Sequence, residues 1–275
     1  MSIRSLSRQS TGLVALALSG LLSVSAWAAP RAQHTPGGVA VIPLGEQAAR
    51  PEVRYEGARV FTIRHEDGWY AYVGIPLDAR TGRHDISVNG KVEPFSVADK
   101  AYEEQHITIT NTRKVDPNED DLKRIRSERG RKVAAKTRWT DELLGFDFIT
   151  PLAGPRTGDF GVKRFFNGKA RNPHSGLDIA APSGTPIVAP AAGTVIELGD
   201  FFFSGNMVYL DHGQGLISLY AHMSKIDVAV GDQVEQGAKL GEVGSTGRST
   251  GPHLHWSVGL NGTWIDPALF LPVPD

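Results

Sequence analysis

Residues 253–260 read His-Leu-His-Trp-Ser-Val-Gly-Leu, a stretch that alternates along its length and is rich in strand-forming residues. Side chains two positions apart point to the same face of a β-strand, so the pattern predicts a strand that presents His253 and His255 together. Upstream, residues 174–178 read His-Ser-Gly-Leu-Asp and residues 220–223 read Tyr-Ala-His-Met. These three short patterns bring four histidines and one aspartate to the candidate site, and together they indicate a metal centre.

The segment after His174 is too rich in glycine and proline for a helix, since it contains Gly176, Pro182, Gly184 and Pro186. His174 and Asp178 are therefore not one helical turn apart, unlike the ligands of a His-Glu-x-x-His zinc protease. We expect them where a loop enters a strand, with Leu177 and Ile179 buried and Asp178 on the metal side. A His-x-x-x-Asp pair and a His-x-His pair offer three ligands and spare imidazoles, which suits catalytic zinc with its one open position.

Residues 150–275 are dense in glycine and proline and poor in helical patterns. Two stretches, 188–197 and 230–243, place glycine between β-branched residues, as happens where strands bend sharply. We predict an antiparallel β-sheet folded into a small barrel or sandwich. The chain as a whole is predicted to be mainly β.

The region before residue 116 is also predicted to be β. Residues 52–112 form short alternating runs separated by turn residues, and Asn89-Gly90 between two such runs predicts a hairpin. We expect a module over residues 51–115 that is a small β-sandwich of five to seven strands. Residues 29–50 are rich in proline, glycine and glutamine, and we interpret them as a flexible lead-in.

Residues 116–149 have a different composition and predict one charged helix followed by a linker. Pro117 suits a first helical position and acidic residues fill the first turn, so the helix is predicted over residues 117–137. Eight basic residues lie between Lys123 and Arg138. They could track an anionic polymer, but a solvated connecting helix is the favoured interpretation.

Residues 1–28 have the features of a secretory signal peptide: Arg4 and Arg8, an apolar run, and an Ala-Trp-Ala end. We expect cleavage near Ala28 and export to the periplasm or the medium. The apolar run is too short for a permanent span, and no other stretch is apolar enough, so we predict no stable membrane insertion. The chain has no cysteine, so an ordinary hydrophobic core must hold it together without disulfides.

The charge balance argues against nucleic acid as a partner. The chain has 29 basic and 30 acidic residues, a formal net charge of −1. A near-neutral protein has no overall attraction to nucleic acid or to an anionic membrane.

The C-terminal half closely resembles the M23 metallopeptidases of the lysostaphin and LytM type. The resemblance covers nearly all of residues 150–275, in the family's order. It lies in His174-x-x-x-Asp178, the run 181–195, Gly205–Gly213, Tyr220-Ala-His222-Met, Val230–Gly237, Gly244–Gly247 and Gly251-Pro-His253-Leu-His255. Residues 52–112 loosely resemble the β modules that precede M23 domains in Gram-negative periplasmic proteins.

The resemblance implies roles for these positions. His174, Asp178 and His255 match zinc ligands, whereas His222 and His253 match the two active-site histidines that do not bind the metal. It implies a zinc endopeptidase that cleaves peptide cross-links of peptidoglycan by zinc-activated water, with the two histidines for proton transfer and oxyanion stabilisation. The expected bond joins D-alanine to meso-diaminopimelate. Glycyl bonds or the cross-bridges of a foreign cell wall are the alternative substrates, and an exported protease that acts on other proteins is a further alternative.

The same residues bear on two other functions. Some M23-like domains lack ligands and activate wall amidases, but every ligand position is filled here. Biotinyl and lipoyl carriers share the Val-Gly-Asp-x-Val hairpin of residues 230–234, but they need a lysine upstream, and none lies between Lys169 and Lys225. Residues 29–150 could cover the groove or bind a regulatory protein partner.

Other residues were also considered for the site. His212 is expected to be structural, whereas Asn206 and Tyr220 could equally line the pocket or pack. The basic loop 155–173 could rim the groove, although a solvated loop is favoured.

Overall fold

The structure is a computed structural model that describes residues 30–272. The predicted signal peptide, residues 1–28, lies outside the described residues, so its assignment stays a prediction. Within residues 30–272, no helix combines the length and apolar character that a membrane crossing requires.

The N-terminal part contains two small antiparallel sheets that enclose one apolar core, the sandwich predicted from the alternating runs. The first has the strand order β1-β5-β4 and the second β3-β2-β6-β7. Asn89 and Gly90, both at positive φ, form the predicted hairpin between β6 and β7. The strands are β1 (Val39–Gly45), β2 (Val53–Tyr55), β3 (Ala58–Arg59), β4 (Phe61–His65), β5 (Gly68–Gly74), β6 (Gly82–Val88) and β7 (Lys91–Val97).

The expectation of a flexible lead-in over residues 29–50 is wrong for β1. Val39–Gly45 pairs with β5, and Val39 and Ala40 are fully buried. The run Val-Ala-Val-Ile at 39–42 is a strand pattern, but the surrounding glycines and prolines obscured it. The sandwich therefore begins before residue 51.

The last of the alternating runs in residues 52–112, near His106, does not join either sheet of the sandwich. β8 (Glu104–Ile107) pairs in parallel with β10 (Lys163–Phe166), and β10 pairs with β11 (Lys169–Ala170). About half of the basic segment 155–173 is therefore strand, tied to residues before the helix, and the segment is not a solvated loop throughout.

The one α-helix among the described residues, α1, runs over Glu119–Lys136, within the predicted range. The side chain of Asn118 accepts a hydrogen bond from the backbone of Asp121, whose carboxylate in turn accepts from the Asn118 backbone. This reciprocal cap satisfies two backbone donors at the helix start. A short 3₁₀ helix, Thr112–Lys114, precedes it.

The C-terminal part is built on an eight-stranded antiparallel sheet with the order β18-β14-β15-β16-β20-β12-β9, and β21 pairs with β20. A smaller sheet has the order β13-β19-β17. The remaining elements are β9 (Arg156–Gly158), β12 (Leu177–Ala180), β13 (Pro186–Val188), β14 (Gly193–Phe201), β15 (Gly205–Gly213), β16 (Leu216–Met223), β17 (Lys225–Ile226), β18 (Gln233–Val234), β19 (Lys239–Glu242), β20 (His253–Leu260), β21 (Thr263–Ile265) and a 3₁₀ helix (Pro267–Phe270).

The two faces of the large sheet have different partners. Leu254, Trp256 and Tyr220 lie in the main core on one face. On the other face, Ala135 of α1 packs in a second apolar cluster. The sheet residues of this cluster are Phe201, Met207, Tyr209, Ile217, Leu219 and Ala221. The helix thus covers part of the sheet face opposite the main core.

The N-terminal and C-terminal parts share one hydrophobic core. Phe61 and Tyr72 of the sandwich contact each other, and Phe61 contacts Phe146 with ring centroids 5.9 Å apart. All three belong to the cluster that contains Trp256. A truncation near residue 148 would therefore uncover apolar surface.

We expect Phe61→Ala to lower the free energy of unfolding by about 3–5 kcal/mol, because it leaves a cavity where the two parts meet. The measurement is chemical denaturation, with Val92→Ala as control because Val92 is 63% exposed. A loss below about 1 kcal/mol, within the ordinary range of surface substitutions, would show that the shared core contributes little.

Candidate metal centre

The candidate metal ligands come from two neighbouring strands and the loop before one of them. Asp178 on β12 lies directly opposite His255 on β20 in the antiparallel ladder. Leu177 and Ile179 are buried in the main core, so the pleat turns Asp178 to the other face, as predicted. His174 reaches the same point from the loop that enters β12.

The three side chains meet at one point. His174 Nε2, Asp178 Oδ1 and His255 Nδ1 are each 2.9 Å from the other two. Together they form a cluster that could hold a metal ion. The structure thus brings together the three residues that the sequence singles out as ligands.

Neighbouring groups orient the two imidazoles. His174 Nδ1 donates a hydrogen bond to the carbonyl of Asp159 at 2.7 Å, so Nε2 keeps its lone pair. His255 Nε2 lies 3.0 Å from the hydroxyl of Ser257, which is fully buried. Such partners hold metal-binding histidines in the required tautomer and orientation.

Arg164 orients the carboxylate of Asp178. Its Nη2 donates to Asp178 Oδ2 at 2.7 Å, which leaves Oδ1 for the histidines. Gly158 is needed beside this pair because an added Cβ would lie 2.6 Å from Asp178 Oδ2. The sequence pattern missed Arg164, since no spacing rule links it to an aspartate across an irregular segment.

The donor set fits a divalent cation. His174 Nε2 presents a lone pair and Asp178 presents a negatively charged oxygen. These two atoms and His255 Nδ1 lie at short range from one another, and a bound cation would satisfy all three. Burial alone raises the pKa of Asp178, but its close contacts with His174 and His255 outweigh this effect and hold the pKa well below its usual range. Burial lowers the pKa of His255 to about 4, so the ring is a neutral ligand at pH 7.

His222 and His253 lie beside this cluster, as predicted. Their ring centroids are 4.8 Å apart, and the His222 ring is 6.0 Å from that of His255. His222 Nδ1 donates to the carbonyl of Thr246 at 2.8 Å, and His253 Nδ1 donates to that of Gly251 at 2.9 Å. Each ring therefore keeps an unprotonated Nε2 that can accept a proton.

The backbone of His222 has a positive φ of 65°. On β16, Ala221 pairs with His255 on the metal side, whereas Tyr220 pairs with Trp256 in the main core. Strict alternation would turn residue 222 toward the core, and the left-handed conformation redirects it into the cleft. Burial, together with His255 and His253, lowers the pKa of His222 to about 3.

A cleft of about 300 Å³ opens beside the three ligands. Among the described residues that line it, none is acidic and three carry a permanent positive charge: Lys132, Arg164 and Arg248. Its wall also includes His174, His222, His255, Phe166, Phe203 and Trp264. An extended anionic or polar ligand can reach the metal centre through it.

The other polar residues considered from the sequence have structural roles. His212 is fully buried, donates from Nδ1 to the carbonyl of Ala192 and bonds through Nε2 to the hydroxyl of Ser218. Tyr220 is fully buried and bonds to Ser218, and Asn206 donates to the carbonyl of Met223. His212 is therefore structural, as expected, and neither Asn206 nor Tyr220 is among the residues that line the cleft.

Comparisons with known proteins agree with this arrangement. The family described as Peptidase family M23 matches residues 172–267, and its N-terminal domain family, Peptidase family M23 N-terminal domain, matches residues 32–100. A solved structure assigned to peptidase M23 from Pseudomonas aeruginosa has 43% sequence identity and a TM-score of 0.74, and covers 86% of this chain and 95% of that one.

The names of two curated relatives state specific activities. The DD-carboxypeptidase/endopeptidase Mpg of Neisseria meningitidis is 46% identical over 103 residues, covering 37% of this chain and 24% of the relative. The peptidoglycan DD-endopeptidase ShyA of Vibrio cholerae is 41% identical over 90 residues, covering 33% of this chain and 21% of the relative. The chain thus matches less than a quarter of the length of these relatives.

We expect Arg164→Gln to weaken divalent metal binding about 10- to 100-fold, because Asp178 loses the partner that orients it. Competition with a chelating indicator measures the affinity. Lys163→Gln is the matched control, since it removes the same charge from an exposed neighbour. Equal affinities in the two variants would contradict the orienting role of Arg164.

His212 predicts a pH dependence of stability. Burial lowers its pKa to about 4, below the usual 6.5, so the unfolded chain binds more protons between these values. Above pH 6.5, neutral His212 makes its full contribution to the free energy of unfolding. As the pH falls from 6.5 to 4, this contribution decreases by about 3 kcal/mol. His212→Gln should be less stable at pH 7 but lose less stability by pH 4, as measured by denaturant titration at each pH. An equal loss in both proteins would contradict the prediction.

Proposed function

Because this chain belongs to peptidase family M23, we propose that it is an exported zinc endopeptidase that hydrolyses the peptide cross-links of peptidoglycan. The observation that carries the proposal is the convergence of His174, Asp178 and His255 at 2.9 Å, with His222 and His253 beside them. Zinc bound in such a site lowers the pKa of a coordinated water to about 7 and polarises a carbonyl.

The chain's own histidines supply the proton chemistry. Their Nδ1 atoms are held by carbonyls, so each Nε2 enters the reaction as a proton acceptor. Once protonated, the same Nε2 becomes a donor that can stabilise the developing oxyanion or pass its proton to the leaving amine. Histidines with these properties replace the glutamate base of other zinc proteases.

The names of the relatives support the substrate class. One is a DD-endopeptidase acting on peptidoglycan, and another combines DD-carboxypeptidase with endopeptidase activity. We propose the bond between D-alanine and meso-diaminopimelate as the target here. Glycyl bonds, a foreign cell wall and other proteins are the alternative substrates, and analysis of the products distinguishes them.

Export to the periplasm or the medium is part of the proposal, and its support is the signal-peptide pattern of residues 1–28. A role as a non-catalytic amidase activator is disfavoured because each ligand position holds a suitable side chain in bonding range. Control by residues 29–150, or by a regulatory protein partner, stays a prediction.

Asp178→Ala should lose the bound metal and all turnover, because it removes the only anionic ligand of the cluster. His222→Ala should keep the metal and lose turnover at least about 100-fold, because it removes a proton acceptor. Mass spectrometry of muropeptides released from defined sacculi measures turnover, and elemental analysis measures zinc.

Asp85→Ala is the control, since Asp85 is an exposed carboxylate on the N-terminal sandwich. Full activity of Asp178→Ala, or no muropeptide release by the native chain loaded with zinc, would refute the proposed function.

A further inference from the structure

Arg248 lies in the wall of the metal cleft without an anionic partner. Its guanidinium is stacked between the rings of Phe166 and Phe203, 4.5 and 4.4 Å from their centroids. Within residues 30–272 the side chain has one hydrogen bond, at 3.4 Å to the carbonyl of Lys114, and no ion pair. Burial lowers the pKa of Arg248 to about 10, with further lowering by Arg164 and Arg171.

Lys132 of α1 lines the same cleft and is also unpaired within the described part of the chain. Its ammonium lies 5.6 Å from the ring centroid of Phe201. Burial lowers its pKa, Glu128 opposes this effect, and the charge of Arg248 adds to it. Lys132 and Arg248 are thus close enough to repel each other.

Other cations of α1 are neutralised. Arg124 bonds to Glu128 and Asp200, and Arg131 forms two hydrogen bonds with the carboxylate of Glu197. Glu128, one turn away, acts on Lys132 only at longer range, because its carboxylate is bonded to Arg124 and to the backbone of Phe202. Among the described residues, Lys132 therefore differs from Arg124 and Arg131 in forming no ion pair.

Arg164 adds a third open donor to this wall. While its Nη2 holds Asp178, its Nε is buried and has no acceptor within residues 30–272. A buried donor without an acceptor is costly, and buried cations are normally paired. The cleft thus concentrates positive charge and free donors that an anionic ligand would satisfy.

We propose that Lys132 and Arg248 form a carboxylate subsite that binds the free carboxylate beside the scissile amide of the substrate. A guanidinium held flat between two rings presents its fork to a planar carboxylate, and the ammonium adds a second charge. This inference rests on the proposed function. In the D-alanyl to diaminopimelate link, the carbon bonded to the scissile nitrogen carries such a carboxylate.

The same subsite would suit both activities that are combined in the name of the Neisseria relative. A carboxypeptidase substrate also has a free carboxylate on the residue that leaves. A cleft that recognises this group would accept a terminal D-alanine and a cross-linked diaminopimelate alike. The helix α1 would then contribute to substrate recognition as well as to the fold.

The test compares two matched peptides that carry the D-alanyl to diaminopimelate bond, one with a free carboxylate beside the amide and one with a carboxamide there. For the native zinc-loaded chain we expect kcat/KM to favour the carboxylate at least about tenfold, the scale of one charge-assisted contact. Arg248→Gln and Lys132→Gln should each bring this ratio close to one. Arg129→Gln is the matched control, because it removes an exposed charge from the same helix and should leave the ratio unchanged.

A binding measurement separates this proposal from the proposed function. Calorimetry with the released diaminopimelate product and its carboxamide reports recognition without turnover. If the native chain hydrolyses neither peptide but binds the carboxylate product better, and Arg248→Gln removes that preference, the subsite stands and the proposed reaction fails. Equal rates and equal binding for acid and amide would overturn the subsite. So would a Lys132→Gln variant that gains activity on both peptides alike, because α1 would then only restrict access.

Discussion

The antiparallel pairing of β12 with β20 is the constraint on which the site depends. It places Asp178 opposite His255, while their neighbours Ile179, Leu254 and Trp256 are buried in the main core. A slip of one residue would turn every side chain of a strand to the other face. The burial of these large apolar residues therefore fixes the register, and the register aligns two of the three ligands. Core packing on one side of the sheet therefore sets the geometry of the metal centre on the other side.

Polar contacts then orient the ligand side chains that the strands and the preceding loop position. Asp159 and Ser257 contact the outer nitrogens of His174 and His255, and Arg164 holds the second oxygen of Asp178. These partners come from a loop, from β20 itself and from β10. Because β10 is paired to β8, the carboxylate of the centre is linked to a strand that precedes the helix. The site is thus supported by the region before residue 150 as well as by the C-terminal sheet.

The helix α1 has two chemically different sides. Its arginines at 124 and 131 pair with carboxylates of the sheet edge, which anchors the helix. Ala135 packs on the sheet face that leads to the cleft, and Lys132 faces the cleft itself. Its low apolar content is typical of a solvated connector. It is nevertheless compatible with docking, because Ala135 packs on the sheet and the long side chain of Arg131 lies over the ring of Phe201.

The sequence by itself determined the mainly β class, the hairpin at Asn89-Gly90, the helix near residues 117–137 and the five residues of the candidate site, since each depends on short-range periodicity, turn chemistry or motif spacing. It did not reveal the strand at Val39–Gly45, the pairing of β8 with β10, or Arg164 beside Asp178, because these depend on contacts between distant segments. His222 shows most clearly what depends on the sequence and what depends on the tertiary structure. Its motif identified it, but strand alternation would have turned it into the core, and only the left-handed backbone set by the surrounding loops directs it to the metal side.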